Sequence, residues 1–225
     1  MPSAGLLSNR KFQLVAGHSA LDFVNSLDWR FRKSGAEELL KTYGDLLSFT
    51  VRAGLLKKPE ALGLARTVGM RRAGRVLMAG KALREVLANF FYSVVDGGPP
   101  ASGCMQALEE HIEKARKHQR LTWRGACLEW SWAQVWQETE FPIWVLALKA
   151  AELTTSPSLI KVRACDNAEC RWLFLDTSKN QGRRWCDMNL CGNRMKSRRF
   201  KAKRKDSQSH VFGAVPNTLE FSSEL

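Results

Sequence analysis

The 225-residue sequence has no uninterrupted apolar run of about 18 residues, the length a membrane-spanning helix requires. Met1 to Gly17 contain no apolar core of signal-peptide length. A cytoplasmic protein with no membrane association is therefore expected. Absent too are a phosphate-binding glycine loop, a nucleophile elbow and the glycine pattern of a dinucleotide fold. The four histidines, His18, His111, His118 and His210, are scattered, with no carboxylate–histidine–nucleophile arrangement. No catalytic residue is assigned, and the chain is not expected to be an enzyme. No internal repeat is present.

Acidic residues are in short supply: 35 Lys and Arg stand against 22 Asp and Glu, a formal net charge of +13. The excess is local. Residues 161–205 hold fourteen Lys/Arg and four Asp/Glu, whereas the other 180 residues hold twenty-one and eighteen. A confined basic segment implies an anionic partner, usually nucleic acid. The segment lacks the broad apolar face with which a helix lies on a membrane.

Hydrophobic content of 44% is enough for a core without covalent staples. Ser19 reads as a helix N-cap with Asp22 at its capping-box position, opening a helix with Leu21, Phe23, Val24 and Leu27. A second helix is read from a cap at Ser34, with Glu37 and Glu38 in its first turn and Leu39 to Val51 at helical spacing. Gly54 suits its end and Pro59 the next helix start. Residues 60–95 are helical in pattern, with Gly69, Gly74 and Gly80 marking candidate breaks. A polar helix over Ala101–Gln119 follows. Leu121, Trp123, Leu128, Trp130 and Trp132 alternate with polar residues about Arg124-Gly125, which predicts a β-hairpin with aromatics on one face. Residues 137–153 read as an apolar helix. The fold class expected is α/β of α+β type, helix-rich, with an antiparallel hairpin, followed by a small zinc finger.

That finger is the strongest motif. Cys165-x4-Cys170 and Cys186-x4-Cys191 enclose fifteen residues. Four thiolates complete the tetrahedral shell of a structural Zn²⁺ and leave no place for a catalytic water. Two matched spacings make coincidence improbable, and redox pairs commonly have two intervening residues rather than four. Trp172, Phe174 and Asp176 suit a strand, Asn180-Gln181-Gly182 a turn and Arg183-Arg184-Trp185 a return strand. Cys191 then opens a helix, an order that resembles a treble clef. Eight of the twelve residues 194–205 are basic: Arg194, Lys196, Arg198, Arg199, Lys201, Lys203, Arg204 and Lys205. With Arg183 and Arg184 they form the candidate nucleic-acid surface. Duplex DNA is favoured over RNA, because Trp172 and Trp185 lie near zinc ligands and are read as the finger's core rather than as stacking platforms.

The run Cys170-Arg-Trp-Leu-Phe-Leu-Asp-Thr-Ser, then Arg183-Arg184-Trp185-Cys186-Asp-Met188 and Cys191-Gly192-Asn193-Arg194, resembles the CGNR zinc finger of bacteria. Leu21-Asp22-Phe23-Val24-Asn25-Ser26 is similar to the opening motif of the ABATE domain that precedes such fingers, with Ser26 where Thr is usual. The resemblance implies a stress-associated transcription regulator whose body senses a small ligand and whose finger binds DNA.

Asp22 and Asn25, three apart on one side of the first helix, with Arg30 or Arg32 near as an anion anchor, are the candidate ligand pocket. Their competing role is local hydrogen bonding. The body tryptophans, Trp29, Trp123, Trp130, Trp132, Trp136 and Trp144, are read chiefly as core. Cys104 and Cys127 are read as small buried apolar residues. Residues 1–158 are thus expected to be a sensing domain, 159–205 a zinc finger with a basic helix, and 206–225 a mobile tail. A homodimer is compatible with this reading. The alternatives are an RNA-binding protein, or an enzyme in the body with the finger localising it.

Overall fold

A computed structural model describes residues 7–132, 138–198 and 200–201. Two compact units divide the chain, Met1–Cys186 and Asp187–Leu225. The expectations for residues 202–225, including the tail, and for Trp136 and Arg199 lie outside the described residues.

In the first unit, helix α1 (Ser19–Val24) is short and almost wholly buried. Its cap is His18, one residue earlier than the expected Ser19: the imidazole Nδ1 accepts the Ala20 N–H. Asp22 instead turns back to accept the N–H of Ala16 at 3.0 Å. Strands β1 (Leu27–Asp28) and β2 (Glu37–Glu38) then pair antiparallel. The helix expected from Ser34 does not form. A stronger capping box lies downstream, where Thr42 and Asp45 satisfy each other's backbone N–H groups and open α2 (Tyr43–Arg52). Glu38 is thereby left in the strand, where it faces Arg84.

Gly54, at φ 71°, ends α2 in the left-handed region. Pro59 occupies the first turn of α3 (Lys58–Thr67). Gly69 separates α3 from α4 (Met70–Val95), which runs unbroken through Gly74 and Gly80. A Cβ at Gly80 would come within 3.3 Å of Leu46, so the small residue lets α2 approach α4 closely. Helix α5 (Ser102–Arg116) leads into the expected hairpin, β3 (Gln119–Arg124) and β4 (Cys127–Trp132). Helix α6 (Phe141–Thr154) is apolar nearly all round and packs against α1, α2, α4 and α5. Phe12, Phe23, Phe49 and Leu146 belong to the core.

A 3-10 turn (Pro157–Lys161) feeds β5 (Val162–Ala164), which pairs antiparallel with β6 (Leu173–Leu175). β6 packs on α1 and β5 on α4, so the strands of the cysteine module are part of the first unit. In the second unit, Asp187 caps a π-helical turn (Met188–Gly192), and helical backbone follows at 193–198 and 200–201. No helix among the described residues is long and apolar enough to cross a membrane.

Candidate metal centre

The connection between β5 and β6 is the first cysteine knuckle. The Cys165 N–H donates to the Trp172 carbonyl at 2.9 Å, closing its base. Within it, the N–H groups of Cys170 and Arg171 both donate to the Asn167 carbonyl at 2.9 Å. Arg171 takes a positive φ of 47°, which reverses the chain into β6. Cys186 follows a ten-residue loop organised by the buried Asp176. One carboxylate oxygen accepts from the Ser178 N–H and hydroxyl, and the other from the Arg183 N–H. Those bonds, the Ser178 hydroxyl foremost, hold the Asp176 carboxyl below its ordinary value.

All four cysteines are buried, and their sulfurs lie within 4.8 Å of one another. Four thiolates on a tetrahedral Zn²⁺ stand about 3.8 Å apart. The Cys170 and Cys186 sulfurs are 3.9 Å apart, far too long for a disulfide. Donor type, number and spacing all fit one structural Zn²⁺. Two expected details are corrected. Leu173–Leu175 pairs with the upstream β5, and no return strand forms at Arg183–Trp185, because the Asp176 carboxylate holds the intervening loop. The final helical segment opens at the Asp187 cap rather than at Cys191, since the Asp187 carboxylate takes the N–H groups of Asn189 and Leu190.

Asn25, the buried C-cap of α1, exchanges two 2.9 Å hydrogen bonds through its amide with the Leu173 backbone. Asp22 is also buried. Desolvation pushes its carboxyl up to about 6, against the N–H groups of Ala16 and Val15 that favour the anion. Arg30 forks to Glu85 and reaches the Val24 carbonyl. The Arg30 terminal nitrogens are thus engaged within the fold, whereas its buried Nε has no hydrogen-bond partner among the described residues.

A second set of contacts joins the knuckle to α4. The Arg171 guanidinium meets the Asp96 carboxylate at 2.7 Å and lies near the Phe31 and Tyr92 rings. The Tyr92 hydroxyl donates to the Arg171 carbonyl at 3.0 Å. A cavity of about 790 Å³ opens between the end of α4 and the start of α5, lined by Asn89, Tyr92, Asp96, Pro99 and Cys104. Sequence reasoning missed Arg171, Tyr92 and Asp96. A positive φ at a bulky residue and a 75-residue separation leave no local signal.

Among the basic residues, Arg184, Arg194, Lys196, Arg198 and Lys201 are exposed. Arg183 is partly buried. Its guanidinium lies 4.4 Å from the Phe174 ring centre and donates to the carbonyls of Val15, Trp185 and Cys186. Trp172 is buried, as a finger-core residue should be. Of the body tryptophans, Trp144 is buried and stacks on His118, while Trp123 and Trp130 are exposed on the β3–β4 hairpin. Cys127, on the same hairpin, is exposed, and Cys104 is only half-buried.

Comparison with known families gives two matches. The ABATE profile, described as "Putative stress-induced transcription regulator", matches residues 17–157. The CGNR zinc finger profile matches residues 161–204. No curated protein matches the chain.

Proposed function

The chain belongs to the ABATE family, and on that premise we propose that it is a cytoplasmic, zinc-dependent transcription regulator that binds duplex DNA. The observation that carries this reading is the continuity of the zinc site with its basic segment. Three residues after Cys191, a run begins in which eight of twelve residues are Lys or Arg, and the described ones are exposed. Such a segment repels itself in isolation and gains from phosphates, which replace its condensed counterions. Arg184, Arg194, Lys196, Arg198, Arg199, Lys201, Lys203, Arg204 and Lys205 are the proposed phosphate contacts. Arg183 supports them by bracing the knuckle.

The body is the proposed sensor of a small effector, and the α4–α5 cavity is its seat. Tyr92 and Asp96 line that cavity and also hold Arg171 of the knuckle. A ligand that binds one arrangement of those side chains better than another would shift the knuckle by mass action. Asp22, Asn25 and Arg30 are the frame on which that coupling rests.

Fluorescence anisotropy with duplex DNA across a salt series tests the reading. If about five phosphates are contacted, log K falls against log salt with a slope of about −4 to −5. Replacing Arg198, Arg199 and Lys201 by Ala lowers the slope by about 2 to 3. A salt-independent signal, or single-stranded RNA outcompeting the duplex, contradicts DNA as the partner.

A further inference from the structure

The β3–β4 hairpin sorts most of its side chains by face, with Gln119 on the apolar side and Cys127 on the polar side as exceptions. One face carries Leu121, Trp123, Leu128 and Trp130, which are 54%, 65%, 59% and 59% exposed. The opposite face carries Arg120, Thr122, Arg124, Glu129 and Ser131. That polar face is internally satisfied, by an Arg124–Glu129 ion pair at 3.6 Å and a Thr122–Ser131 hydroxyl bond at 2.6 Å. The hairpin base is anchored where Trp132 packs edge-on to Phe141. Beyond the base the apolar face stays exposed, and Trp130 lines a groove bordered by Ile112 and Leu148, with Arg116 and Glu152 at its rim.

A two-stranded ribbon is marginal in water without a partner for its apolar face. These four side chains present about 500 Å² of apolar surface, near the upper end of what a monomer exposes. Two such faces together bury up to about 1,000 Å², the threshold that a specific interface must reach.

The register identifies the partner. Leu121 stands opposite Trp130, and Trp123 opposite Leu128. The two leucines therefore occupy one diagonal of the patch and the two tryptophans the other. When a second copy is laid face to face about a two-fold axis parallel to the strands, every tryptophan meets a leucine. Large residues meet smaller ones at all four positions.

We propose that a second copy of this chain covers the hairpin, through an isologous interface of Leu121, Trp123, Leu128 and Trp130. This pairing does not depend on DNA binding. If both hold, the dimer presents two basic segments for paired half-sites.

Light scattering and sedimentation equilibrium on the full-length, zinc-loaded protein at about 20 μM test the proposal. The expected mass is twice 25.4 kDa. Leu128→Glu sets a charge against a tryptophan twice per dimer and weakens association about a hundredfold or more. Glu129→Gln, on the opposite face, leaves the mass unchanged. One zinc per chain and an unaltered circular dichroism spectrum show that the Leu128 variant is folded. As a second readout, amide exchange in residues 119–132 slows as intact protein is concentrated. Intact protein that stays monomeric overturns the proposal and leaves the face for another segment of the chain or a different partner. A Leu128→Glu dimer of undiminished affinity places the interface elsewhere and overturns it equally.

Discussion

The side-chain amide of Asn25 donates to the Leu173 carbonyl and accepts the Leu173 N–H, both at 2.9 Å, across 148 residues of sequence. It acts as a missing strand for β6, satisfying both backbone groups of a residue that is itself fully buried. The cysteine module is thus hydrogen-bonded to the first helix of the ABATE region by a residue of that region's opening motif.

Replacing Asn25 by Leu leaves a buried N–H and a buried carbonyl unpaired. The expected loss is about 2 to 4 kcal/mol, read from urea unfolding. Asn25→Asp keeps the acceptor but sets a carboxylate against the Leu173 carbonyl, and is expected to be no milder. Both variants release zinc faster to a chromogenic chelator. An unchanged release rate would mean that the bond pair does not support the knuckle.

Arg84 is 3% exposed and forks to Glu38 at 2.7 and 2.8 Å, pinning β2 to α4. Burial alone would raise the Glu38 carboxyl. The Arg84 hydrogen bonds and the Leu40 N–H overcome that and hold it below its ordinary value. Arg84→Met leaves Glu38 with only Lys81 and the Leu40 N–H and is expected to cost about 3 kcal/mol. Adding Glu38→Gln recovers a good part of it, and a double-mutant cycle in urea measures the coupling.

Asp22 sets a pH dependence of the opposite sign to that of most carboxylates. Its folded value, about 6, lies above the ordinary 3.8, so the folded state binds the proton more tightly than the unfolded chain. The associated stability is fully present below about pH 4 and is lost as pH rises through 6. Asp22→Asn retains an acceptor for the Ala16 N–H and removes the buried charge. It is expected to stabilise the protein by about 2 to 3 kcal/mol at pH 7.5 and by little at pH 4. Parallel melting curves with pH would contradict this.

Arg183 and Arg184 are adjacent but are expected to behave differently. Arg183→Lys loses the planar fork that meets three carbonyls and covers Phe174, so it weakens zinc retention. Arg184, exposed and paired with Asp166, leaves zinc retention intact when changed to Ala and lowers the DNA salt slope by about one. A chelator assay and a salt series on the two variants separate the roles.

Local chemistry was readable in the sequence. The two x4 cysteine pairs specify the metal site, the alternation about Arg124-Gly125 specifies its hairpin, and Pro59 and Gly54 punctuate helices as their backbones dictate. Long-range choices were not. Whether Leu173–Leu175 pairs with the chain before it or after it depends on the Asp176 carboxylate, whose partners lie two and seven residues on. Glu37 and Glu38 suit a helix's first turn as well as a strand, and Arg84, fourteen residues into α4, decides between them. The exposure of Trp123 and Trp130 was hidden because an apolar alternation reads the same whether the covering partner is the chain itself or another molecule.

The central claim is that Zn²⁺ on Cys165, Cys170, Cys186 and Cys191 organises a DNA-binding segment. The most direct measurement titrates Zn²⁺ into chelator-stripped protein while following the anisotropy of a labelled duplex. DNA affinity should be low without the metal, should rise in step with added Zn²⁺ and should reach its plateau at one ion per chain. Equal affinity before the first addition and after the last would contradict the account.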